Sequence, residues 1–266
     1  MSSTLTNPQT SLQFSERLQR IRDYWDTFLH DQEMSKAPVG SPTWFTDLGA
    51  YRYEKLDYLP HVVDFNSYVG QRVLEVGCGI GLDSALFARG GADVTSIDLS
   101  PRTVALAQTH LSQQGLSGRV FVMNGEAMAF NDAAFDMVYA HGVVQYTDDP
   151  PRLVAEVRRV LRPGGSAIFM LYHRDSWLMA LSKFTKVEVE HRNAPVIRMY
   201  GQKEARELLQ GFKQVTIVPN RFPVATKLHR GWKAVAYNRV FVPGFNLLPR
   251  TFTSRWGWHL MVWATK

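Results

Sequence analysis

Apolar positions recur at two different spacings along this chain. In residues 12–34, Leu18, Ile21, Tyr24, Trp25 and Leu29 fall at helical intervals, which predicts an amphipathic helix ahead of the main domain. The stretch KAPVGSPTW breaks the pattern, and a second helix is expected from about Tyr51 to Phe65. From Arg72 the pattern becomes regular. RVLEVG, ADVTSID, GRVFVMNG, FDMVYAHG and GSAIFMLY read as strands, with LDSALFARG, PRTVALAQTHLSQQ and DPPRLVAEVRRVL as the helices among them. Strands alternating with helices imply parallel pairing through right-handed crossovers. Ser100 before Pro101 is a helix N-cap signal, and Arg162-Pro163-Gly164-Gly165 is expected to end the later helix.

After Tyr172 the rhythm slackens. A helix, QKEARELLQGF, a strand, KQVTIVP, and a final strand in WGWHLMVWATK are legible. Two stretches, about 173–199 and 221–255, are too long for plain connections, and loops of that length on an α/β core tend to build a substrate pocket.

Composition narrows the class. With 266 residues, 45% of them hydrophobic, the chain can bury a sizeable core. It has no uninterrupted apolar run of membrane-spanning length, and its polar start lacks the layout of a signal peptide, so a cytoplasmic protein is expected. The single cysteine, Cys78, excludes an internal disulfide and a paired-thiol metal site, and no metal is expected. The net charge is +6, and it is unevenly placed: residues 208–266 hold nine Lys or Arg and no Asp or Glu. A basic, aromatic tail suits an anionic small molecule, an anionic membrane surface or a nucleic acid.

The chemistry centres on LEVGCGIGLDS, residues 74–84, a glycine-rich turn between a strand and a helix. Asp98 ends the next strand, where an acid can accept hydrogen bonds from a ribose diol. A dinucleotide would fit that much. Its fingerprint, however, needs a third glycine one position later than Gly81, where Leu82 stands. Glu75 and Asp83 flank the turn, and no Lys or Arg occurs from Val73 to Ala88. A pyrophosphate would meet like charge, at a cost of about 1–4 kcal/mol per close contact. A ligand with an ammonium and a sulfonium would be attracted.

VLEVGCGIGLDSALFA, VTSIDLS, NGEAMAF, FDMVYAHGVVQYTDDP and VLRPGGSAIFM together resemble the successive motifs of class I S-adenosylmethionine-dependent methyltransferases, and in particular bacterial small-molecule enzymes of the ubiquinone and menaquinone type. The resemblance implies an α/β fold with a Rossmann-like seven-stranded sheet, mostly parallel with the last strand reversed, and helices on both faces. It implies a helical cap over residues 1–69 and a methyltransferase domain over 70–266, with pocket-forming insertions after strands 5 and 6. S-adenosylmethionine is the implied cofactor. Glu75 would hold its amino group and Gly77, Gly79 and Gly81 would let the backbone approach its amino acid end. Asp98 would bind the ribose, Leu99 would pack on the adenine, Glu126 and Ala127 would line its rim, and His141 would face the amino acid end or the methyl.

For the acceptor, His141 and His173 are the leading candidate bases, with His191 behind them. Tyr51 and Tyr53 are candidates to cap the pocket. Arg192, Arg198, Lys227, Arg230 and Arg239, with Tyr200 and Trp232, offer guanidinium forks and aromatic faces for an anionic or aromatic acceptor. AHGVVQY stands where amino-methylating enzymes of nucleobases and glutamine amides carry an Asn/Asp-Pro-Pro-aromatic motif, and the only cysteine lies in the glycine turn. O-methylation of a small anionic or phenolic metabolite is therefore the leading expectation. C- or N-methylation, a quinone-like acceptor met at a membrane surface, a nucleic-acid methyltransferase and an inactive binding subunit remain as alternatives, with no nucleic acid expected as partner.

Overall fold

The computed structural model describes residues 16–184, 191, 193–225 and 231–266. The chain opens with α1 (Glu16–Thr27), α2 (Pro42–Lys55) and α3 (Leu59–Val62). Then follow β1 (Arg72–Val76), α4 (Leu82–Arg89), β2 (Asp93–Asp98), α5 (Pro101–Gln113), β3 (Arg119–Val122), β4 (Phe135–His141), α6 (Pro150–Val160) and β5 (Leu161–Tyr172). The last part contains α7 (Trp177–Phe184), α8 (Gln202–Leu208), β6 (Gln214–Asn220), α9 (Trp232–Ala236), a π-helical turn (Tyr237–Phe241), α10 (Val242–Leu247), α11 (Arg250–Thr253) and β7 (His259–Thr265).

The seven strands form one sheet in the order β3-β2-β1-β4-β5-β7-β6. β1 to β5 pair in parallel, and β7 runs antiparallel to both neighbours. Side chains alternate across it with the period of two that a strand imposes. Leu74, Val76, Val138, Ala140, Ala167, Phe169, Leu260 and Val262 enter the core on one face. Val73, Met137, Tyr139, Ile168, Met170 and Met261 enter the core on the other, with Phe65, Phe87 and Trp258. Burial on both faces explains why the strands read as nearly continuous apolar runs. Strand order reverses between β1 and β4, and the crevice at the carboxyl ends of strands at such a switch point is where open α/β sheets bind ligands.

Two expectations need correction. The helix anticipated over 51–65 is the second half of α2, followed by the separate short α3. Ser41 caps α2 by accepting from Trp44 N at 3.3 Å with Pro42 in its first turn, so the second helix begins inside the Pro-containing stretch and not near Tyr51. α6 stops at Val160, and Pro163-Gly164-Gly165 lies inside β5, where the register on β4 jumps from the Phe135–Leu161 pair to the Met137–Ser166 pair. Glycines there tolerate the bulge, Gly164 adopting φ 75°. Among the described residues no helix is long and apolar enough to cross a membrane.

Candidate active site

A cavity of about 260 Å³ opens over the carboxyl ends of β1 and β4. Its two ends differ in chemistry. One end is made by the glycine turn. Gly77 N and Cys78 N both donate to Ile97 O, at 2.7 and 3.1 Å, and Gly79 N donates to Asp98 Oδ2 at 2.9 Å. A Cβ on Gly77 would lie 2.3 Å from Val143 Cγ2, so only glycine fits. A Cβ on Gly79, which adopts φ 52°, would meet nothing within 4 Å. Gly81 instead serves packing: its Cβ would come within 3.0 Å of Ala107 on α5.

The acids here are shielded to different degrees. Glu75 is buried and accepts from Ser84 Oγ, which also contacts Ser96 Oγ at 2.8 Å. Burial, reinforced by the charge of Asp83, pushes its carboxyl up to about 8. Asp98 is raised by burial, against which the N–H groups of Ser100 and Gly79 work. Asp83 also lines the cavity, but its oxygens are already engaged. It is gripped by Arg52, whose Nε and Nη2 donate at 3.0 and 2.5 Å, and it accepts from Tyr53 Oη at 2.8 Å and Tyr139 Oη at 3.1 Å. Burial works to raise Asp83, but Arg52 outweighs it and holds the carboxyl below its usual range. The absence of cations near the turn is thus a property of the local sequence only, since α2 delivers one to Asp83; of the acids that flank the turn, Glu75 and Asp98 line the cavity without an arginine partner of this kind.

The far end is built by residues remote from one another in sequence. His141, Arg52, Arg221 and His259 line it. Tyr58 stands behind them, its oxygen 2.6 Å from His259 Nδ1 and 3.4 Å from His141 Nε2. Arg221 Nη1 lies 3.0 Å from His259 Nε2. Burial, then the nearby charge of Arg52, pushes His141 down to about 3, so its ring is neutral. Trp25 of α1 and Phe28 just beyond it roof the cavity, packing edge-to-face on His191 at centroid distances of 5.0 and 5.1 Å.

The other anticipated residues distribute as follows. Leu99 and Glu126 line the cavity, but Ala127 is exposed and Met123, Asn124 and Gly125 stand there instead. Glu126 Oε1 also accepts from Thr147 Oγ1, Asp148 N (2.7 Å) and Asp149 N (3.1 Å), tying the rim to the start of α6. His173 does not reach the cavity wall. It is buried, its imidazole Nδ1 pairs with Gly257 O at 2.9 Å, and it anchors the end of β5 to the loop before β7. Tyr51 and Tyr53 are also off the wall, Tyr51 under the Lys55 ammonium at 5.3 Å and Tyr53 on Asp83. Arg198 donates to the carbonyls of Thr147 and, at 3.0 Å, Asp148, while Tyr200 is buried in the core; together they border a separate shallow groove. Arg192, Lys227 and Arg230 lie outside the described residues.

The sheet order with its switch point, the glycine turn and the acid after β2 define an α/β fold of the class I methyltransferase type. Residues 74–169 match the model of the methyltransferase domain family. The ubiquinone biosynthesis O-methyltransferase of Xanthomonas oryzae is 32% identical over 160 residues, covering 58% of this chain and 66% of that protein, just short of two thirds of its length. An S-adenosylmethionine-dependent methyltransferase from Thermotoga maritima superposes with a TM-score of 0.61 at 18% identity, over 92% of this chain and 99% of that one. Geranyl diphosphate C-methyltransferase from Streptomyces coelicolor, solved with geranyl diphosphate and S-adenosylhomocysteine, gives 0.60 at 16% identity over 94% and 98%. At such identities the solved structures share the fold alone.

Proposed function

We propose that the protein transfers the methyl group of S-adenosylmethionine to an oxygen of a small phenolic acceptor. The observation that carries this reading is the two-ended cavity: carboxylates and bare backbone at one end, two imidazoles and two guanidiniums at the other. The cofactor suits the first end. Its ammonium matches Glu75, its ribose hydroxyls match Asp98, and Leu99 with Asn124 and Gly125 offers an apolar and backbone surface for the adenine. Gly79, where a side chain would project into open space, leaves room for the amino acid moiety. When bound, the cofactor supplies an electrophilic methyl on a positive sulfur. The chain's own residues align the acceptor oxygen and take its proton. The phenolic acceptor is supported by the relative named as an O-methyltransferase.

Calorimetric titration tests the cofactor: S-adenosylhomocysteine should bind at micromolar concentration and a nicotinamide dinucleotide should not. Tritiated-methyl transfer to a panel of phenols and amines then tests the acceptor atom, and transfer to amines alone would sink O-methylation.

A second reading concerns where the acceptor is met. The segment 232–247 is apolar on two sides: Tyr237, Phe241 and Phe245 turn inward to Trp177, while Trp232, Val240 and Leu247 are 76%, 71% and 85% exposed. Large apolar side chains this exposed on one segment point to a covering surface. With no acidic residue after Glu207, an anionic lipid surface fits that face, and a lipophilic phenol would be drawn from it. Flotation with phosphatidylglycerol vesicles tests this; no binding at low salt would remove it.

A further inference from the structure

The acceptor end holds two imidazoles whose partners decide which nitrogen of each carries the proton. A guanidinium only donates. Arg221 Nη1 faces His259 Nε2 at 3.0 Å, so Nε2 accepts and the proton of the neutral ring sits on Nδ1. That N–H meets the Tyr58 oxygen at 2.6 Å. In the same way Arg52 Nη2, 3.4 Å from His141 Nδ1, leaves the His141 proton on Nε2, which faces the same phenol oxygen at 3.4 Å. Tyr58 then accepts from both rings, and its own proton turns to Met261 Sδ at 3.8 Å. This arrangement gives the proton on each imidazole and on the phenol an acceptor.

The backbone holds His259 and Arg221 together. β7 runs against its neighbours, so its first residue, His259, lies at the edge where β5 and β6 end, paired with Tyr172 and Asn220. Arg221, directly after β6, adopts φ 58°, a left-handed conformation costing a non-glycine residue roughly 1–2 kcal/mol. Its carbonyl accepts from Trp258 N at 3.1 Å and Trp177 Nε1 at 2.9 Å. The residue before His259 therefore pins the residue that supplies its guanidinium neighbour.

We propose that His259 is the general base for the acceptor hydroxyl, with Arg221 stabilising the oxygen as charge develops and Tyr58 as the positioning residue; this rests on the O-methylation reading. The acceptor hydroxyl replaces Arg221 Nη1 at the lone pair of His259 Nε2, and the displaced guanidinium N–H donates to the acceptor oxygen. Its O–H bond breaks and the proton goes to Nε2. An oxygen lone pair forms the bond to the methyl carbon while the carbon–sulfur bond breaks and leaves its electron pair on sulfur. The resulting imidazolium keeps its Nδ1–H on Tyr58 and later gives the Nε2 proton to solvent. A base oriented by a third group is the recurring design for proton abstraction. Both rings turn a lone pair to a guanidinium, and His141 is the less suited because its own neighbour, Arg52, is locked in place by the two-pronged grip of Asp83.

Two measurements test this. Histidine 15N spectra of the protein saturated with S-adenosylhomocysteine should show His259 protonated at Nδ1 and bare at Nε2, and Tyr58→Phe should release that preference. A proton found on Nε2 overturns the proposal whatever happens to the O-methylation reading. With catechol as probe acceptor, His259→Asn keeps an N–H toward Tyr58 but has no base. It should lower kcat at least about 100-fold and abolish the low-pH limb of the profile, with S-adenosylhomocysteine affinity within about twofold. His141→Gln, which keeps the N–H toward Tyr58, should lose less than His259→Asn, and the reverse order overturns the assignment. Tyr58→Phe should lower kcat and shift the low-pH limb with little change in KM. Catechol left unmethylated by the wild-type protein counts against O-methylation of this phenol, and the spectra then decide the His259 assignment alone.

Discussion

The two ends of the cavity are constructed in opposite ways. The end that we assign to the cofactor comes largely from one βαβ unit, with Glu75, Gly77, Gly79, Asp98 and Leu99 inside 25 consecutive positions. The acceptor end draws Arg52 from α2, His141 from the end of β4, Arg221 from beyond β6 and His259 from the start of β7. A turn that must bring backbone close to a ligand imposes its residues locally. A site at the edge of a sheet collects whatever the strand order brings there, so its residues can come from anywhere in the chain.

The sharpest way to break this contrast is at the contact joining the two ends. Asp83→Asn would leave the Arg52 guanidinium buried without its ion pair, and we expect a loss of about 3–5 kcal/mol in urea unfolding. A loss below about 1 kcal/mol would mean that the pair behaves as a surface bridge. Next in size is Asp98→Ala, which should cost about 1.5–3 kcal/mol of S-adenosylhomocysteine binding, roughly 10- to 100-fold, while leaving the acceptor end intact. Unchanged affinity would remove Asp98 from the ribose.

Glu75 gives a pH signature. Its folded carboxyl is raised to about 8 from 4.5, so the folded chain holds a proton that the unfolded chain releases. Stability should therefore fall as pH rises between those values, and Glu75→Gln should flatten that slope. Because an ammonium favours the carboxylate, S-adenosylhomocysteine should release up to about one proton at pH 7, read by calorimetry in buffers of different ionisation enthalpy. The same release in Glu75→Gln would exclude Glu75 as its source. The smallest effect concerns the outer face: Trp232→Ser should weaken binding to anionic vesicles by about 1 kcal/mol without changing turnover of a water-soluble phenol. Equal vesicle binding by this variant would move the contact elsewhere.

Several misreadings have a common origin. The charge count around the glycine turn was correct along the chain and incomplete in space, because α2 carries Arg52 onto Asp83. His173 looked well placed as the first residue after β5, yet its ring turns to Gly257 O beneath the surface. His259 was the missed residue, although it is the polar break in the apolar run WGWHLMVW. Only the reversed direction of β7 makes its first residue a neighbour of the ends of β5 and β6 rather than of their beginnings, on the same edge of the sheet as the ends of β1 and β4.

The order of strands and helices, the turn that suits a nucleoside with a cationic tail, and Asp98 were determined by the sequence itself, because backbone geometry and side-chain periodicity act over a few residues. Which ionisable groups meet, which nitrogen of each imidazole is bare, and which histidine faces the cavity were decided only by the tertiary structure. Those properties depend on distances of about 3 Å between residues up to 201 positions apart in the chain, and periodicity carries no information about them.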